Sequence, residues 1–432
     1  MLGRVNDAQI QQMLTAAVQE RRAGRIDAAM RIFRGIIAQT EHPQALNALG
    51  LNALKQGDHA AAAALLERAI AADPDAPELR LNLARARRDQ NDDKGEEAAL
   101  QGALSLDQRN FPALARMAEL LERRGDVAGA SERWSGVLAM APMIEERSPE
   151  LEAMLEHARA FVEHARAAFA ARIDAGLAES RAAASPRDLR RVDACVDHAL
   201  GRREIFANTC AGMHFPFLPA DEFFDRDHFP WLADLEAQTD VIRAEIAAVL
   251  AEDAAAIRPY VAMAPGTPAN KWSPLDRSLD WGAMHLWKDG QRDDAVCARV
   301  PRTAAIVETL PLSDLPGRTP TVFFSLLRPG AHLPAHTGVS NVRTIVHLPL
   351  IVPPGCAFRV GGETREWREG EAFAFDDTIE HEAWNRSDQI RAILILDVWN
   401  PYITPVEREL LRRFYAVAAE AHDAPGAIGV SE

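Results

Sequence analysis

The sequence is short of cysteine, has no long apolar run and carries no excess of positive charge, and each shortage excludes something. Its four cysteines, Cys195, Cys210, Cys297 and Cys356, are too scattered for a zinc knuckle or a C-x-x-C redox pair and read as reduced thiols. No uninterrupted run of about 18 apolar residues occurs, and the N-terminal MLGRVNDAQIQQM lacks the apolar core of a signal peptide. With no membrane anchor evident, a cytoplasmic location is expected. The balance of 48 Lys+Arg against 63 Asp+Glu, a formal −15, works against a phosphate-binding surface and so against nucleic acid as a partner. What remains is a globular composition, 48% hydrophobic and 26% charged, in 432 residues. That excludes collagen-like and wholly disordered chains and suffices for two or three domains.

The first 142 residues repeat. Gly57, Asn91 and Gly125 are spaced by 34, as are Asp58, Asp92 and Asp126, and Pro74 and Pro142 stand two periods apart. Apolar residues recur at helical spacing on both sides of each turn, as in Leu49, Ala53, Leu54 and then Ala62, Leu65, Leu66, Ala69. Each unit therefore reads as a helical hairpin, and an earlier copy slipped by one residue turns at Gly24. The pattern resembles the tetratricopeptide repeat, which implies a superhelix whose concave groove docks a peptide or protein. Glu96 stands where that family has a small residue, so the third hairpin is expected to pack loosely. The bland alternative is a spacer or dimerisation arm.

Residues 143–202 read as a helical connector rich in Ala, Arg and Glu. From about residue 203 the pattern changes: seven of eight tryptophans lie there, and short apolar runs such as TVFFSLL, RTIVHLPLIV, CAFRV, EAFAF and RAILILDVW are bounded by Gly, Pro, Asp or Asn. These predict a jelly roll or related double sheet over 203–432, giving a multidomain α plus β chain.

Two histidines fall at strand ends, His336 in LPAHTG and His381 in FDDTIEHE, where imidazoles can converge on one metal ion. Spacing alone signals this weakly, since a lone strand histidine is more often simply hydrogen-bonded. Support comes from Ser325, His347 and Arg391, three polar residues in otherwise apolar strands that are costly to bury unless partnered. Together they predict a dry pocket with a cationic end, suited to a small dicarboxylate.

The stretch from Leu326 to Pro401 closely resembles the aspartyl/asparaginyl β-hydroxylases, Fe(II)- and 2-oxoglutarate-dependent oxygenases with a double-stranded β-helix. The marks are His336-Thr337-Gly338, Asn341-x-Arg343 with His347, Phe375-Asp376-Asp377 before His381, and Asp397-Val398-Trp399 with Pro401. Upstream, Ser278-Leu279-Asp280-Trp281 and Leu286-Trp287-Lys288-Asp289-Gly290 are also similar. The resemblance implies His336 and His381 as iron ligands, and Arg391 with Ser325 on the distal carboxylate of 2-oxoglutarate. It gives His347 the proximal carboxylate and makes Asp377 the residue that holds, from behind, the water on the iron position that Gly338 leaves open. Alternatively, Asp377 is a turn cap. Arg343 would meet a substrate carboxylate, whereas Ile345 stands where members acting on aspartyl groups carry a second Arg.

The resemblance further implies O₂ as oxidant and the β-carbon of Asp or Asn, in a peptide docked by the repeats, as target. Two other readings remain: a lipid acyl-chain hydroxylase, and an adaptor whose oxygenase fold is inactive. The adaptor predicts a damaged metal site.

Overall fold

The computed structural model describes residues 7–252 and 256–422, and the chain divides into two compact units, Met1–Leu189 and Arg190–Glu432. The first unit is helical. Its repeats form the pairs α1 (Asp7–Arg22) with α2 (Ile26–Ile37), α3 (Pro43–Lys55) with α4 (His59–Ala72), α5 (Pro77–Asp89) with α6 (Asp93–Leu106), and α7 (Phe111–Arg123) with α8 (Val127–Met140). The repeated turn residue has one physical job: Gly24, Gly57, Asn91 and Gly125 all adopt left-handed φ, between 57° and 79°, to end the first helix of each pair. The repeated aspartate has another. Asp58, Asp92 and Asp126 each accept a hydrogen bond from the backbone N–H three residues on, capping the second helix. The slipped first copy has Arg25 at that place and no such cap.

Glu96 does not loosen the third hairpin as expected. It is 1% exposed and pairs with Arg123 of the next hairpin, while Ala99, Leu100 and Ala103 of the same helix are buried. The carboxylate is accommodated by a cation that reaches it from the neighbouring repeat. After α8, the long α9 (Pro149–Ala183) lays Leu155, Ala158 and Val162 against Trp134 and Val137, closing the exposed end of the stack with its first turns. Then follows α10 (Pro186–Ala199), which crosses the boundary between the units. Its Arg190 is anchored within the second unit by Asp221, Glu363 and the carbonyl of Phe223.

The described residues of the second unit form eleven strands in two antiparallel sheets: β1 (Arg258–Pro259), β2 (Trp281–Lys288), β3 (Gln291–Arg292), β4 (Val322–Leu327), β5 (His332–His336), β6 (Arg343–Ile351), β7 (Cys356–Val360), β8 (Glu363–Glu366), β9 (Phe373–Phe375), β10 (His381–Asn385) and β11 (Arg391–Trp399). The larger sheet runs β1-β2-β4-β11-β6-β9 with β3 on β2, and the smaller runs β5-β10-β7-β8.

Strand alternation assigns the faces of the larger sheet. Phe324, Leu326, Val346, Leu348, Leu394 and Leu396 face outward, onto Ile242, Ile246 and Val249 of the helix Thr239–Glu252. Phe323, Leu327, Ile345, Ile393 and Ile395 face the smaller sheet, meeting Leu333, Phe358 and Ala383. Ser325, Arg343, His347, Arg391 and Asp397 share the parity of this inner set, so polar groups enter an otherwise apolar interior.

Candidate functional site

Between the sheets lies a cavity of about 500 Å³ whose wall includes Ser325, His336, His347, Asp377, His381 and Arg391, together with Arg343. All seven residues expected from the sequence are thus brought to one space.

His336 and His381 are cross-strand partners in the β5–β10 pairing, with ring centroids 4.1 Å apart. Each ring is tethered in the same way. Nδ1 of His336 meets the Pro334 carbonyl at 2.7 Å, and Nδ1 of His381 meets the Ile379 carbonyl at 2.9 Å. A carbonyl can only accept, so both Nδ1 atoms carry the proton and both Nε2 atoms present lone pairs. Burial keeps the rings neutral, holding His381 down to about 3 and lowering His336. Two neutral imidazoles with oriented Nε2 lone pairs suit a first-row divalent ion, the backbone carbonyls fixing the tautomer from behind. Trp272 stands edge-on to His336, centroids 4.9 Å apart. Among the described residues no group of three His, Cys, Asp or Glu side chains is arranged to hold a metal. An ion here would take its remaining ligands from water and bound small molecules.

Asp377 packs against Gly338. A Cβ built on Gly338 would overlap the Asp377 carboxyl, with Oδ1 2.8 Å away, so no side chain fits at 338 while Asp377 keeps this position. Its Oδ1 is buried without a hydrogen-bond partner among the described residues, and burial raises the group to about 7 against the opposing pull of Arg343. The turn-capping alternative falls instead to the preceding residue: Asp376 accepts from the Thr378 backbone N–H, the Thr378 hydroxyl and Asn208.

The other end of the cavity is cationic. Arg391 is 1% exposed, and burial depresses its guanidinium to about 9, with no carboxylate acting on it among the described residues. Among the described residues its Nη1 reaches only Ser325, at 3.3 Å to both Oγ and the carbonyl, and Nε has no hydrogen-bond partner. The guanidinium lies over the Trp367 ring at 4.7 Å. His347 is packed among Phe358, Phe373 and Phe375, its Nδ1 also unpartnered and its basicity lowered by burial and by Arg391. A buried cation without a counter-ion beside an unpartnered imidazole is a cradle for a small carboxylate. The donor set therefore fits both 2-oxoglutarate and a metal ion bound at the two histidines.

Arg343, expected to meet a substrate carboxylate, is paired within the chain. Nη1 donates to Asp397 Oδ2 at 2.6 Å, and Nη2 lies 3.7 Å from Asp377 Oδ2. Asp397, Trp281 (whose Nε1 donates to Ser325 Oγ at 3.1 Å) and Trp367 also line the cavity, a placement the sequence alone does not mark. Asp397 carried the same signal that marked Arg391, a lone charge in an apolar strand.

The structure thus defines a helical repeat unit joined to a two-sheet unit whose interior cavity holds the facing pair His336 and His381 at one end and the buried Arg391 at the other. Residues 236–401 match the family model described as Aspartyl/Asparaginyl beta-hydroxylase, and residues 53–95 match the Tetratricopeptide repeat. The mouse aspartyl/asparaginyl beta-hydroxylase is 39% identical over 144 residues, which is 32% of this chain and 19% of that protein. An ornithine lipid ester-linked acyl 2-hydroxylase from Rhizobium tropici is 34% identical over 185 residues, 42% of this chain and 62% of that one. The chain spans about a fifth of the length of the mouse and human aspartyl/asparaginyl beta-hydroxylases it matches. Among solved structures, the crystal structure of MamA protein aligns with TM-score 0.30 and 17% identity, covering 36% of this chain and 89% of that chain.

Proposed function

We propose that this chain is an Fe(II)- and 2-oxoglutarate-dependent oxygenase that hydroxylates the β-carbon of Asp or Asn in a peptide. The observation that carries the reading is the coexistence in one cavity of two Nδ1-tethered imidazoles and a buried arginine that has no carboxylate partner among the described residues. The strand orders, β4-β11-β6-β9 facing β5-β10-β7-β8, support a double-stranded β-helix. Overall, substrate C–H, O₂ and 2-oxoglutarate become C–OH, succinate and CO₂. Iron, when bound, would supply the activation of O₂.

The chain's own residues supply the rest. His336 and His381 would hold the ion, Arg391 and Ser325 the distal carboxylate of 2-oxoglutarate, and His347 its proximal carboxylate. Asp377 would hold water against the metal through its unpartnered Oδ1. The aromatic wall of Trp272, Trp281 and Phe358 would keep bulk water away. In the domain division proposed, residues 1–142 dock the substrate, 143–202 connect, and 203–432 carry the chemistry.

Incubation with Fe(II), 2-oxoglutarate and O₂ tests this directly: succinate should form, and a peptide substrate should gain one oxygen by mass spectrometry. Absence of succinate would refute it. A second reading, acyl-chain hydroxylation, is favoured by the similarity to the Rhizobium enzyme together with the apolar cavity wall at Phe323, Ile345 and Ile395. Hydroxylation of lipid vesicles but not of peptides would select it. The adaptor reading finds no support, since none of the expected site residues is displaced from the cavity.

A further inference from the structure

Resting on the hydroxylase reading and deepening it, the geometry points to a substrate whose reacting side chain is uncharged: an asparaginyl carboxamide in preference to an aspartyl carboxylate. The argument concerns the charge around one guanidinium. Arg343 Nη1 donates to Asp397 at 2.6 Å, and Asp377 lies 3.7 Å from Nη2. Asp397 is 2% exposed and also accepts from the Thr321 backbone N–H at 3.0 Å, so it is fixed where it stands. Arg343 is therefore matched by carboxylates of its own chain before any substrate enters.

Among the described residues no second cation pairs with Asp377 or Asp397. Ile345, directly cross-strand from Asp397, occupies the same cavity wall. Of the other cationic residues lining the cavity, Arg391 reaches Ser325, Lys288 is exposed and Arg318 is part-exposed. A substrate carboxylate at Arg343 would be a further anion beside Asp397, which is already paired with that guanidinium, and close to the Asp377 carboxyl, in a buried space where repulsion is poorly screened. A carboxamide has nearly the same shape and no charge. Its carbonyl can accept from Arg343, and its NH₂ can donate to the carboxylates that would repel aspartate. The two acidic side chains thus act as a filter: they exclude Asp and complement Asn.

The test uses the full chain and two end-blocked degenerate heptapeptide pools that differ only in a central Asn or Asp. With Fe(II), 2-oxoglutarate and O₂, the Asn pool should gain oxygen at least about tenfold faster. Quenching of tryptophan fluorescence in metal-free protein should show the same order of binding, because Trp272 and Trp281 line the cavity. Ile345→Arg and Asp397→Asn, the first adding a cation and the second freeing one, should each move both ratios toward Asp. Equal or Asp-favoured rates overturn the inference and leave the hydroxylase reading standing. Unchanged ratios in Ile345→Arg also overturn it, because charge matching would then not set the choice. Succinate formation with no oxygen in either pool overturns the peptide substrate itself, and no succinate overturns the hydroxylase reading.

Discussion

The backbone N–H of Gly338 donates to the carbonyl oxygen of Asp377 at 2.6 Å, and the place where residue 338 would carry a Cβ is filled by the Asp377 carboxyl. Two residues 39 apart in the chain thus share one volume. Gly338→Ala should force the Asp377 carboxyl aside at an overpacking cost of about 1–3 kcal/mol. Thermal denaturation of the metal-free protein would read that loss. The double variant Gly338→Ala/Asp377→Ala should recover most of it, whereas strictly additive losses would show that the two residues do not compete for space.

The paired histidines give a second expectation. His336→Ala or His381→Ala should abolish detectable Fe(II) binding by calorimetry, because the remaining imidazole offers no chelate. Metal binding at wild-type strength in either variant would place the ion elsewhere.

Arg391 should behave as a functional group that destabilises the empty protein. Buried without a counter-ion, it carries a desolvation penalty that a ligand carboxylate would relieve. Arg391→Met is therefore expected to raise Tm in the absence of 2-oxoglutarate and to remove the further rise that 2-oxoglutarate produces in the wild type. Its effect on co-substrate affinity should be about 2–5 kcal/mol, against about 0.5–1.5 kcal/mol for Ser325→Ala. Equal effects from the two would remove Arg391 from the co-substrate.

Glu96 predicts a pH dependence in the repeat unit. Burial raises its folded pKa above the ordinary value, with Arg123 pulling the other way. A carboxyl raised on folding favours the folded state below its unfolded pKa, and that contribution is lost as pH rises through the folded value. The equivalent positions one period away are Ala62 and Ala130, both fully buried. Glu96→Ala should therefore stabilise the protein by about 1 kcal/mol at pH 8 and by progressively less toward pH 4. A destabilised variant at pH 8 would show that the Arg123 pair outweighs the burial.

Separating the two units should separate capture from chemistry. Arg190 bonds to Asp221, Glu363 and Phe223, so a shortened chain must begin before α10, near residue 185, to keep that anchor. Such a chain should retain succinate formation without substrate while kcat/KM for the natural peptide falls. Equal kcat/KM with and without residues 1–184 would leave the repeats as a spacer.

Much of this molecule is dictated locally and could therefore be read from the sequence. The 34-residue period fixes where left-handed turn residues and helix-capping aspartates must fall, because those needs are met within a few residues. Strand alternation fixes that Ser325, Arg343, His347, Arg391 and Asp397 share an inward face, since parity is a property of each strand alone. Pairing and charge balance belong to the tertiary structure. Only the β5–β10 ladder sets His336 opposite His381, and only close packing shows that Gly338 gives its space to Asp377 rather than to open water. Arg343 reads in the sequence as an available cation, yet Asp397 is 54 residues away and binds it across the β6–β11 pair. Glu96 reads as a packing defect until Arg123 arrives from the next repeat. In each case the sequence determined which group is present, while its partner came from distant chain brought near by folding. A charge's role depends on what neutralises it, and that neighbour is chosen in three dimensions.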